Sequence, residues 1–191
     1  MDGIHPKILK ELKEELAKPL AMIFRKSHED KDIPEEWKTA RSSAIFEKGS
    51  KSIAGNYRPV SLTSIVGKVM EKLVRNHLLE HFITNSLFTN KQYGFIGGRS
   101  TSLQLLRVLD EWTEAIDAGK DVDCVYMDYQ KAFDTVPHKR LVRKLEAYGI
   151  GKEMREWIQN YLSGRKQQVS VNGHTSKWHH VTSGIPQGTV L

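Results

Sequence analysis

Residues 122–134 read Val-Asp-Cys-Val-Tyr-Met-Asp-Tyr-Gln-Lys-Ala-Phe-Asp, a short apolar run that ends in a carboxylate. Val122 to Met127 has the length and composition of a buried β-strand, and Asp128 stands at its end. An aspartate so placed can bind Mg²⁺ through oxygen at about 2.0–2.1 Å. Phe133 can then form the floor of a pocket beside the metal. The alternatives remain that Asp128 caps the helix starting near Lys131 and that Phe133 is a core residue.

The composition allows a folded core and favours an anionic partner. The chain has 191 residues, 39% of them hydrophobic and 27% charged, which fits one domain or two small subdomains and excludes wholesale disorder. A formal net charge of +6 favours polyanions, although ordinary basic proteins carry similar charge. The one cysteine, Cys124, excludes a disulfide framework and a cysteine-based zinc site.

Neither a membrane span nor a secretion signal is expected. No run approaches the roughly 18–20 apolar residues of a membrane-crossing helix. The first residues lack a basic region followed by an apolar block. We therefore expect an intracellular, reducing location and no membrane partner.

The hydrophobic pattern predicts an α+β fold with a small, largely antiparallel sheet. Pro19 is expected to kink or split the first helix. Asn172-Gly173 predicts a two-residue hairpin turn between the last two strands. The predicted helices cover residues 7–24, 65–82, 100–118, 139–148 and 152–162, and the predicted strands cover 41–46, 122–127, 167–171 and 178–182.

A loop near the end of the chain combines flexible and rigid positions. Pro186 restricts the backbone between Gly184 and Gly188, which permit unusual backbone angles. Gln187 can hydrogen-bond a planar base or a template strand. The alternative is a plain turn beyond a hairpin strand.

Four basic residues, Lys48, Lys51, Arg58 and Arg99, lie beside glycine- or proline-containing turns. Pro59 holds Arg58 in extended structure, from which its guanidinium can grip a phosphate with two hydrogen bonds. Arg99 precedes a helix, whose amino terminus attracts phosphate. The alternative for each is a solvated surface cation.

In their order and spacing, these motifs resemble those of reverse transcriptases from non-LTR (LINE-type) retrotransposons, close to the jockey-like branch. The resemblance covers nearly the whole chain. It is carried by Asp2-Gly3-Ile4-His5-Pro6, Ile33-Pro34-Glu35-Glu36-Trp37, Ile45-Phe46-Glu47-Lys48-Gly49, Asn56-Tyr57-Arg58-Pro59-Val60-Ser61-Leu62, Gln92-Tyr93-Gly94-Phe95 with Gly98-Arg99-Ser100, Tyr126-Met127-Asp128 with Lys131-Ala132-Phe133-Asp134, and Ser183-Gly184-Ile185-Pro186-Gln187-Gly188.

The resemblance implies a right-hand polymerase that copies an RNA template from a DNA primer, using dNTPs and two Mg²⁺ ions. Residues 1–118 would form fingers and residues 119–191 a partial palm. Asp128 would ligate both metals, and Phe133 would lie under the nucleotide sugar. The residues implied to contact the nucleotide are Lys48, Arg58, Gln187 and Gly188, and Arg99 is predicted to contact nucleic acid.

The chain departs from the family pattern after Leu191. The family's next motif is a hairpin with paired aspartates, and one carboxylate cannot hold two divalent ions. We therefore expect a fragment without polymerase activity by itself. Two other hypotheses stay open: a noncatalytic nucleic-acid-binding module, and a protein-interacting remnant of a transposon gene.

Overall fold

The computed structural model describes residues 3–191, which divide into two compact units. One unit contains the chain up to His81 together with Lys131–Leu191, and the other contains Phe82–Gln130. The boundary predicted between residues 118 and 119 falls inside the second unit. The assignment of fingers and palm stays a prediction.

The fold is mixed α and β, as the sequence predicts. The helices begin and end within about two residues of the predicted bounds from α4 onward. They are α1 Pro6–Glu11, α2 Lys13–Asp30, α3 Glu35–Lys38, α4 Ile65–Thr84, α5 Thr101–Asp117, α6 His138–Ala147 and α7 Lys152–Leu162. No described helix has both the length and the hydropathy needed to cross a bilayer.

The sheet is mixed: three of its four strand pairs are antiparallel, as the sequence predicts, but one pair is parallel, which corrects the prediction for that pair. Its strands are β1 Thr39–Phe46, β2 Tyr57–Leu62, β3 Lys166–Val171, β4 His174–Thr175 and β5 His179–His180. β1 pairs antiparallel with β2 but parallel with β3, so that Thr39 lies opposite Lys166. A parallel pair requires a long crossover, and here several helices separate the two strands in sequence.

The hairpin after β3 forms at the predicted turn, but its return strand is split. Asn172 and Gly173 have φ of 49° and 81°, the left-handed angles of a tight hairpin turn. β4 and β5 pair antiparallel with β3 on either side of a break at Ser176. The Ser176 Oγ accepts the Val169 amide at 3.0 Å and so fills the gap in the ladder.

The core of the first unit packs α2, α4 and α7 around aromatic rings. Trp157 is fully buried, stacks on Tyr161 at 5.5 Å, and donates its indole N–H to Ser27 Oγ. Gly67 lets α4 approach Trp37, since a Cβ there would lie 3.1 Å from the ring. This core supports the sheet and the loops that lead from it.

The first predicted helix is interrupted at Leu12 and not at Pro19. Leu12 ends α1 with φ of −99° and ψ of 25°, and Pro19 lies within α2. Both Pro19 and Glu15, whose carbonyl the proline cannot pair, are exposed. Water can therefore replace the missing hydrogen bond, and the helix continues.

The second unit contains α5 and the run from Val122 to Met127. α5 starts at its predicted cap, because Ser100 Oγ accepts the Leu103 amide at 3.2 Å. The strand predicted at 122–127 is absent: residues 120–129 have no regular secondary structure, and Tyr126 is 86% exposed. A strand needs a neighbour to pair its backbone, and among the described residues the five strands pair only with one another.

Candidate functional site

The Ser183–Gly188 loop lies against the turn that precedes α6. The Gly184 amide donates to the Val136 carbonyl at 2.9 Å, and the Ile185 amide donates to the Phe133 carbonyl at 2.8 Å. The His138 Nε2 lies 2.7 Å from the Gly184 carbonyl. Two segments about 50 residues apart in sequence are thereby held as one structure.

Gln187 connects the loop to two further elements. Its carbonyl accepts the Ser61 amide of β2 at 2.7 Å, and its Nε2 donates to Asp134 Oδ1 at 3.0 Å. The first bond joins the backbone of the loop to the backbone of β2. The second fixes the plane of the Gln187 side-chain amide. Asp134 thus holds the turn and the loop together.

Gly188 permits close backbone contact with β2. Its φ is 95°, and a Cβ there would lie 2.9 Å from the Ser61 carbonyl oxygen and 3.1 Å from Val60 Cγ1. A larger residue would therefore push the loop away from the strand.

A buried carboxylate fixes the chain just beyond Gly188. Glu71 on α4 is 1% exposed, and its two oxygens accept the Tyr161 hydroxyl at 2.8 Å and the Val190 amide at 2.7 Å. Burial, followed by the Glu71 charge, raises the pKa of Tyr161 well above its ordinary value. Glu71 is not among the predicted site residues, although its position one turn from Val74, on the apolar stripe of α4, indicates that this acid is buried.

Two of the predicted phosphate-binding cations, Lys48 and Arg58, lie in the first unit, close to where β1 ends and β2 begins. Arg58 Nη2 pairs with Glu47 Oε1 at 2.6 Å, and the Arg58 side chain remains 61% exposed. Lys48 is exposed in the segment that connects β1 to β2. Such surface pairs contribute about 0–1 kcal/mol, so Arg58 can exchange Glu47 for a phosphate at little cost.

Phe133 is partly exposed, at 43%, and so is not the core phenylalanine of the alternative interpretation. Its carbonyl holds Ile185, which places the residue directly beside the Gln187 loop.

Arg99 belongs to the second unit, where it stabilises its own loop. Its guanidinium donates to the carbonyls of Thr89 at 3.2 Å and Asn90 at 3.0 Å and also to that of Gln92. It lies over the Tyr93 ring, 5.7 Å from the centroid. Contact with nucleic acid stays a prediction for this residue.

Asp128 also belongs to the second unit and is exposed within the irregular segment. Throughout residues 3–191 no group of three or more His, Cys, Asp or Glu side chains is arranged to hold a metal. The described residues therefore do not fit a two-magnesium site by themselves.

The site thus joins three of the predicted motifs within the first unit. They are the β2 segment around Arg58, the turn around Phe133 and Asp134, and the loop around Gln187. Their meeting depends on backbone hydrogen bonds between segments far apart in sequence.

Comparison with known proteins gives consistent matches. Residues 46–191 match the model of the family described as reverse transcriptase (RNA-dependent DNA polymerase). The chain is 30% identical to a probable RNA-directed DNA polymerase from transposon BS of Drosophila melanogaster, over 90% of this chain and 19% of the relative. It is 32% identical to the RNA-directed DNA polymerase from mobile element jockey of the same species, again over 90% and 19%. The chain therefore spans about a fifth of these curated relatives.

Proposed function

Since the chain belongs to the reverse transcriptase family and is similar to the polymerases of non-LTR retrotransposons, we propose that it supplies the nucleotide- and template-binding part of an RNA-directed DNA polymerase. The observation that carries this proposal is the seating of the Gln187 loop on β2 and on the Phe133–Asp134 turn. It assembles, in one unit, residues that the family motifs associate with the incoming nucleotide.

In this proposal residues 1–118 form fingers and residues 119–191 a partial palm. Lys48 and Arg58 neutralise the triphosphate of a dNTP, and the partly exposed pair with Glu47 keeps Arg58 available. Phe133 lies under the sugar.

Gln187 and Gly188 lie beside the nucleotide and the template strand. The hydrogen bond to Asp134 orients the Gln187 amide before any ligand binds, which lowers the entropic cost of recognition. Arg99 contacts the nucleic acid from the second unit.

Asp128 is proposed to contribute one carboxylate to magnesium binding in a longer polymerase. The remaining carboxylates would come from outside this chain, because the described residues contain no cluster that can hold two ions. The isolated chain is accordingly expected to bind substrates without extending a primer.

A primer-extension assay tests this proposal. A labelled DNA primer on an RNA template is incubated with dNTPs and Mg²⁺, using either this chain or a jockey polymerase in which the chain replaces the matching segment. We expect extension only by the chimera, with loss of at least about 10³-fold on Asp128→Asn but little change on Asp121→Asn. Sustained extension by the chain alone, or extension by the chimera that does not require Asp128, would contradict the proposal.

The second candidate is a noncatalytic nucleic-acid-binding module. The net charge of +6 favours it, and so does the exposed Asp128, since the residues that the structure describes contain no group of three side chains that could hold a metal. A folded chimera that binds template and primer but never extends them would support this alternative.

A further inference from the structure

A cavity of about 360 Å³ lies beneath the Gln187 loop and has three Lys or Arg residues in its lining. Arg165, Lys166 and Lys131 contribute to its wall, and Asp134 is the one carboxylate among its lining residues. The Asp134 carboxylate already accepts the Gln187 amide at 3.0 Å. Lys166 pairs with Glu35 at 3.1 Å, whereas no ion pair of the described residues includes Lys131 or Arg165.

Arg165 is the unusual member of this group because it is a buried cation without an acid. The residue is 2% exposed, and its Nη1 donates to the Tyr161 carbonyl at 3.2 Å. The guanidinium also lies over the Tyr161 ring, 4.6 Å from the centroid. Its Nη2 has no hydrogen-bond partner among the described residues. Buried charges are normally paired, because leaving one unpaired costs several kcal/mol.

The positive charge of Arg165 also acts on its surroundings. Burial lowers the pKa of the Lys38 ammonium, and the charge of Arg165 adds to this effect against the opposing influence of Asp32 and Glu35. Arg165 therefore lies close enough to Lys38 for its positive charge to act there.

We propose that this cavity is an anion site, in which Arg165 and Lys131 bind a phosphate group. A planar guanidinium matches a phosphate, and Lys131 can supply a second positive charge from the rim. Neither Lys48 nor Arg58, the two cations proposed to bind the nucleotide triphosphate, is among the residues that line this cavity. The choice of phosphate over carboxylate rests on the proposed function, and the existence of the anion site does not.

The phosphate can come from a nucleic-acid strand or from a free nucleotide, and two titrations distinguish these sources. One follows the anisotropy of a labelled 12-nucleotide single-stranded RNA, and the other follows the heat of binding of dTTP. Each is repeated with Arg165→Met, Lys131→Ala and the control Lys18→Ala, which removes an exposed lysine of α2 outside the cavity.

We expect Arg165→Met to weaken binding about tenfold or more and Lys131→Ala to weaken it about threefold or more, with Lys18→Ala within about twofold of wild type. Weakening in the RNA arm alone assigns the site to a strand phosphate, and weakening in the dTTP arm alone assigns it to a triphosphate.

A thermal melt distinguishes this role from a structural one. A buried unpaired charge costs stability, so its replacement by an apolar side chain of similar size offsets the lost contacts of Arg165. Arg165→Met should therefore unfold near the wild-type temperature.

The proposal is overturned if wild type binds neither ligand, or if Arg165→Met and Lys131→Ala bind both as tightly as wild type. Should Arg165→Met fail to fold, Lys131→Ala decides, because its side chain is exposed. These readouts require no polymerase chemistry, so failure of the chimera to extend a primer would leave the anion site standing.

Discussion

Gly184 is the residue on which the geometry of the loop depends most. Its φ is 82°, and a Cβ at this position would lie 2.6 Å from the Asp134 carbonyl oxygen, which is backbone and cannot move aside alone. Gly164 provides a matched control, since its φ is 68° and it has open space around it.

We expect Gly184→Ala to lower the free energy of unfolding by about 3 kcal/mol and Gly164→Ala by about 1 kcal/mol, the cost of the left-handed backbone alone. Denaturant unfolding of both variants measures the difference. Equal losses would show that the loop does not press against the Asp134 backbone.

Tyr161 makes stability depend on pH in the alkaline range. Its pKa is 10.0 in the unfolded reference and is raised in the folded protein, mainly by burial. The unfolded state therefore loses this proton first, so the stabilisation present below pH 10 is lost as pH rises through the folded pKa.

The free energy of unfolding should then fall by up to about 1.4 kcal/mol per pH unit above pH 10, measured by denaturant unfolding across that range. Tyr161→Phe should flatten this dependence while lowering stability at neutral pH, because Glu71 loses a donor. An unchanged slope in the variant would exclude Tyr161 as its source.

At the scale of single residues, the sequence predicts which side chains can bind a substrate better than it predicts which residues they contact in the fold. It singled out Gln187, Arg58 and Phe133, which the fold brings to one unit. It did not indicate Glu71, because the residue that hydrogen-bonds it in the core, Tyr161, lies 90 positions away. It did not indicate Arg165, because the role of that residue depends on a cavity that only the fold creates.

At the scale of elements, α4 and the end of the Gln187 loop are joined through Glu71. Replacing Glu71 by Leu leaves the Tyr161 hydroxyl and the Val190 amide without an acceptor, each at about 1–3 kcal/mol. We expect Glu71→Leu to destabilise the protein by at least about 2 kcal/mol and to speed hydrogen exchange at Val190.

Glu71→Gln should cost less, because one amide oxygen can still accept the Val190 N–H while the Tyr161 oxygen accepts from the amide nitrogen. Glu80→Leu, an exposed change on the same helix, should stay within about 0.5 kcal/mol of wild type. Slow exchange at Val190 in Glu71→Leu would mean that the carboxylate does not hold the loop.

Elements with local signals were predicted well, and those that depend on distant partners were not. Ser100 caps α5 and Asn172-Gly173 turns the hairpin as expected, since both act within a few residues. The parallel pairing of β1 with β3 joins residues more than 120 positions apart, which no local pattern reveals. The run at 122–127 has strand composition, but composition cannot supply a pairing neighbour.

At the scale of the whole molecule, the net charge of +6 predicts salt-sensitive binding of nucleic acid. The affinity for a single strand should fall by about 0.7 log unit per log unit of salt for each phosphate neutralised. Anisotropy titrations from low to physiological salt measure the slope, and a slope of zero would show that charge does not drive the binding.

Segments 57–62, 131–138 and 183–190 are proposed to form one substrate-binding surface. Hydrogen–deuterium exchange with and without an RNA–DNA template–primer and dNTP tests it most directly. Slowed exchange should appear in all three segments together, and Gln187→Ala should reduce it in all three. Protection confined to α1 and α2, or found in only one of the three segments, would contradict it.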